Sequence, residues 1–136
     1  MDEALESLAH EVVFAYDDIN PTFSIDEREF LYEAAEKDVD SFFAACHLVL
    51  GMRYLDVFRK VLNTNDELIP KLLEAAQDPF FTSTERKIAA ENLNEIALAL
   101  ALMKRVAQEK MPELEKECNQ LATMAENSAI VVSHLL

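Results

Sequence analysis

The chain has 136 residues, enough for one domain that buries roughly two thirds of the surface its unfolded form exposes. Apolar residues make up 51%, with one glycine and four prolines, which argues against disorder and against a turn-rich sheet and leaves an all-α fold. The net charge of −14 repels nucleic acid and anionic membranes, so neither is an expected partner.

The charge is uneven. Residues 1–40 hold thirteen acids against Arg28 and Lys37, a balance of −11, and residues 41–136 balance at −3. Such a surface confers solubility, and it also suits a partner with a basic surface. Cys46 and Cys118 each sit in an apolar helical pattern and are no disulfide framework, so an intracellular, cytoplasmic setting is expected. The N-terminus lacks the basic flank and apolar core of a signal peptide.

In chain order, residues 2–19 read as the first helix. Leu5, Leu8, Ala9, Val12, Val13, Tyr16 and Ile19 recur at spacings of three and four and give one apolar face. Asn20-Pro21 ends it. Ser24 and Glu27 have the spacing of a capping box that opens a second helix. Phe30, Leu31, Ala34 and Ala35 form its inner face, and Glu29, Glu33, Glu36 and Asp40 an acidic stripe opposite.

Residues 41–62 carry no formal charge as far as Met52, and apolar side chains point all round a helical wheel. A helix apolar on every side must be wrapped by others. This stretch is therefore expected to be a buried rod, with Leu48 in the core and Gly51 marking a close crossing or a bend. Residues 62–66, Leu-Asn-Thr-Asn-Asp, predict a break, followed by a helical turn and a helix from Pro70 to Gln77 that Asp78-Pro79 closes. Phe80 and Phe81 are expected to tuck back over the core; an exposed anchor for a partner is the other reading.

A long helix is expected over residues 84–111, capped by Thr84, with an apolar middle at 96–103 that makes it a second buried rod. Pro112 opens the last helix at its first position. There Leu114, Cys118, Leu121, Ala125, Ser128, Val132 and Leu135 follow a heptad seam. The apolar C-terminal run 130–136 has three readings: it docks on the bundle, it pairs with a second copy in a homodimer, or the chain is the N-terminal part of a longer protein.

Residues 68–79, LIPKLLEAAQDP, followed by Ala89-Ala90 and by Leu93-Asn94-Glu95-Ile96-Ala97, resemble one armadillo repeat. The resemblance implies that Ile69-Pro70 opens a repeat's second helix and that Glu91 and Glu95 fall near the family's groove tryptophan and asparagine. The family glycine is absent, with Leu68 in its place, and no second copy of the pattern follows. A groove lined by these glutamates would prefer basic ligands.

His10, His47 and His134 are far apart, and adjacent Cys46 and His47 point to different faces of one helix, which disfavours a shared metal. No Glu-x-x-His pair and no Gly-rich phosphate loop is present. Glu91 and Glu95 share a helix face and are the one candidate acid-base pair, with a solvated face as the plainer reading. The expectation is a single-domain, all-α bundle of five or six helices around 41–62 and 84–111, with a short armadillo-like solenoid as the alternative. The expected function is a non-enzymatic adaptor with no cofactor or metal. Its partner-binding residues would be Asp26, Glu29, Glu33, Glu36, Asp40, Glu91 and Glu95. The alternative is an acidic, immunity-type inhibitor that neutralises a basic nuclease or nucleic-acid-binding protein.

Overall fold

The computed structural model describes residues 2–17 and 24–136. Among them are six helices and no strand, so the fold is an all-α bundle. The helices are α1 (Glu3–Asp17), α2 (Ile25–Lys37), α3 (Val39–Leu50), α4 (Tyr54–Ala76), α5 (Ser83–Lys110) and α6 (Pro112–Ser133). The proposed stop at Asn20-Pro21, and Ile19 with it, lie outside the described residues.

The long helix α5 is the axis of the bundle, packed by α1, α4 and α6. Leu93, Ile96, Ala99, Leu100 and Met103 are buried along it. Its middle is not apolar-buried all round, since Leu98 and Ala101 reach solvent. Thr82, not Thr84, caps it: the Thr82 hydroxyl accepts from the Glu85 N–H at 3.1 Å, and Glu85 accepts from the Thr82 N–H at 3.1 Å. Both threonines lie near the boundary, and only Thr82 has a glutamate three residues on.

The expected rod over residues 41–62 is two helices. Gly51 ends α3 in the left-handed conformation at φ 66°, its N–H donating to the His47 carbonyl. The axes of α3 and α4 then differ by 85°. Phe43 holds the corner together, with ring centroids 5.6 Å from both Tyr54 and Phe58. After the turn α3 packs on α2 and α4, so it flanks the axis and leaves one face in water. Leu48 lies on that face and is 74% exposed, contrary to its expected place in the core.

The expected break at 62–66 is absent, and α4 runs unbroken for 23 residues. Val61, Asn65 and Ile69 recur at spacings of four and are all buried. Burial of that stripe overrides the turn preference of Asn63-Thr64-Asn65-Asp66. Pro70 is thus interior to a helix and does not open one. It removes a donor from the Asp66 carbonyl, and both residues are exposed, so water reaches that carbonyl. The described residues show no evidence of armadillo-like repeats.

The seam on α6 is buried from Leu114 through Val132, but Leu135 lies past the helix and is exposed with Ile130, Val131 and Leu136. The run 130–136 therefore docks only through Val132. Between α4 and α5, Arg86 donates to the carbonyls of Ala76 at 2.9 Å and Asp78 at 3.0 Å, closing the end of α4. Phe81 packs partly against the core while Phe80 is 91% exposed, so half of the expected plug stands in solvent.

Candidate functional site

Among the described residues, two places where charge meets apolar surface hold carboxylates expected at the site, Glu33 and Glu95. The first is the face of α2 and α3. Ser24 opens α2 with a capping box, its hydroxyl accepting from the Glu27 N–H at 3.1 Å. Asp38 ends α2 in extended backbone and caps α3, accepting from the Ser41 N–H at 2.6 Å. Those bonds from Ser41 hold the Asp38 carboxyl below the usual carboxylate range. Asp38 thereby fixes how α3 turns back along α2.

Along α2, Asp26, Glu29, Glu33 and Glu36 recur at spacings of three, four and three, and all are exposed. Of these, Glu33 lines a groove of about 250 Å³ together with Ala34, Ala44 and Ala45, flanked by Phe30 and Leu48. Glu33 and Lys37 form its polar wall. Phe30, expected on the inner face, is 44% exposed there. Asp40 does not continue the stripe, because the break at Asp38 places it on α3, where it lies 3.3 Å from the Lys110 ammonium.

The second place is a cavity of about 380 Å³ between α1, α4 and α5. Phe14, Leu68, Leu72 and Ile96 form its apolar wall, and His10, Glu11, Asn92 and Glu95 its polar groups. Glu95 is the expected site residue that falls here, ion-paired with His10 of α1. The His10 ring also meets the edge of Tyr32, centroids 5.1 Å apart. Glu91, one turn earlier on α5, stays exposed outside the cavity, so the two glutamates do not form one carboxylate pair.

Glu11 is 7% exposed and accepts one hydrogen bond, 3.3 Å from the Asn65 amide nitrogen. That nitrogen also donates to the Val61 carbonyl at 3.0 Å, while the Asn65 Oδ1 is buried without a partner. Burial pushes the Glu11 carboxyl from 4.5 up to about 7; the bond from Asn65 opposes the rise, the charge of Glu95 adds to it and His10 opposes it. Neither Glu11 nor Asn65, which the sequence assigns to a break, is an expected site residue, although the register marks both. Ala4, Leu8, Glu11 and Ala15 recur at four, three and four along a buried face of α1, and Asn65 stands in the buried stripe of α4. A polar residue in an apolar register was the signal.

The remaining reactive groups are quiet. Burial pushes the Cys46 thiol up to about 12 and the Cys118 thiol to about 11, so both stay protonated near neutrality. Among the described residues, no three His, Cys, Asp or Glu side chains gather as a metal site. No single helix among them is long and apolar enough to cross a membrane. Comparison with protein-family models, with curated proteins and with solved structures finds no match to this chain.

Proposed function

We propose that the protein is a non-enzymatic interaction module that engages a basic, amphipathic segment of another protein on the face of α2 and α3. The observation that carries this reading is the meeting of two features at one groove. Leu48 and Phe30 expose large apolar side chains, Glu33 lines the same groove, and Asp26, Glu29 and Glu36 are exposed on the same helix. A partner helix with an apolar stripe and flanking lysines or arginines would bury the first and neutralise the second. An acidic inhibitor of a basic nuclease or nucleic-acid-binding protein would use the same carboxylates and depend less on Phe30 and Leu48.

The test is retention of partners from source-cell lysate on three baits: wild type, the triple reversal Glu29→Lys, Glu33→Lys, Glu36→Lys, and the double truncation Phe30→Ala, Leu48→Ala. The module reading expects a basic protein lost from both variants, whose purified form binds wild type more weakly as salt rises. Loss from the charge-reversed bait alone favours the inhibitor. Equal retention on all three baits removes this face from function.

A further inference from the structure

We propose that the cavity between α1, α4 and α5 is a binding site for a small organic ammonium: a single positive charge on an apolar stem, seated with its cation on Glu11. The walls decide the stem. Phe14, Leu68, Leu72 and Ile96 supply hydrocarbon, and a cavity of about 380 Å³ is within the size of small-ligand sites. The polar groups decide the charge. Glu11 and Glu95 are two carboxylates against one imidazole, His10, and His10 is already paired with Glu95.

The hydrogen-bond inventory agrees. Glu11 lines the cavity, is 7% exposed and accepts a single bond, from Asn65, which does not itself line the cavity. Among the groups that line the cavity, two carboxylates stand against one imidazole and the Asn92 amide, so acceptors outnumber cationic donors. An ammonium brings up to three donors and one charge, whereas a carboxylate or phosphate would add acceptors to acceptors. Phe14, at the cavity and half exposed, offers a ring face for the cation or its stem. Both free amines and the lysine side chain of a peptide present this chemistry. The site is independent of the α2 stripe, which lines none of it.

Calorimetric titration with hexylammonium and phenethylammonium tests the proposal, with hexanol and hexanoate as neutral and anionic controls of similar shape. The ammonium ions should bind at least tenfold more tightly than either control, and amide shifts should concentrate at residues 10–14, 68–72 and 92–96. Glu11→Gln should weaken ammonium binding tenfold or more. The groups facing Glu11 are Asn65 from α4, Glu95 from α5 and His10 on its own helix. Ammonium binding to wild type should therefore strengthen as pH rises toward 7 and release a proton below it, and Glu11→Gln should flatten that profile. Should Glu11→Gln fail to fold, the wild-type proton release decides alone. Equal binding of hexanol, shifts elsewhere, or absence of proton release at pH 6 would each overturn the proposal. Tight binding of an N-acetyl-lysine peptide with weak binding of the free amines would support the cation site and assign its source to a protein side chain.

Discussion

Glu11 is the residue at which the fold works against itself. Its carboxyl is neutral at low pH, where burial beside Asn65 costs little, and must ionise against the apolar wall as pH rises. The unfolded chain releases this proton near 4.5 and the folded chain near 7. Between those values the folded state holds more protons, so stability falls as pH rises through the interval and the full loss is present above 7. The difference corresponds to roughly 3 kcal/mol. Glu11→Gln keeps the shape and removes the titration. Urea unfolding should find the variant about 2–3 kcal/mol more stable than wild type at pH 8 and nearly equal at pH 4.5; an equal gain at both values would assign the effect to packing. Of the residues in this cavity, the sequence reading singled out Glu95. Glu11 is not legible there, because an amphipathic pattern is defined by its apolar members and a single carboxylate inside it is averaged away.

At the scale of elements, local chemistry was legible at two helix starts but not at the cap of α5, which is Thr82 where Thr84 was expected. The Ser24–Glu27 capping box and Pro112 at the start of α6 stand where the sequence puts them. Tertiary packing decided the remainder. Hydropathy cannot distinguish a rod buried all round from a shorter helix that turns a corner, and the single glycine chose the corner. Gly51 at φ 66° has open space around its missing Cβ, so Gly51→Ala should cost only the left-handed conformation, about 1–2 kcal/mol. A larger loss in urea unfolding would mean that a side chain there also meets the fold. The corner also separates two leucines that look alike in sequence. Leu100, fully buried on α5, should lose about 2–5 kcal/mol on truncation to alanine. Leu48→Ala, on the exposed face of α3, should change stability by less than about 0.5 kcal/mol. Equal losses at the two sites would contradict the placement of α3.

At the scale of the whole molecule, the all-α class was readable from composition, since one glycine and a continuous run of helical registers leave no material for sheet turns. The arrangement was not, because it depends on which apolar faces meet. Those contacts make α5 the axis and leave the carboxylates of α2 exposed to solvent. That distribution gives the protein a charged side with an apolar seam in it, at the junction of α2 and α3. The most direct measurement is amide chemical-shift mapping on addition of a leucine-lysine amphipathic helical peptide, at low and at high salt, with the wild-type protein and the Glu29, Glu33, Glu36 triple lysine variant. Binding on the α2–α3 face predicts shifts concentrated at residues 26–37 and 41–48, weakened by salt and lost in the variant. Shifts centred on other helices, or an unchanged response from the variant, would contradict it.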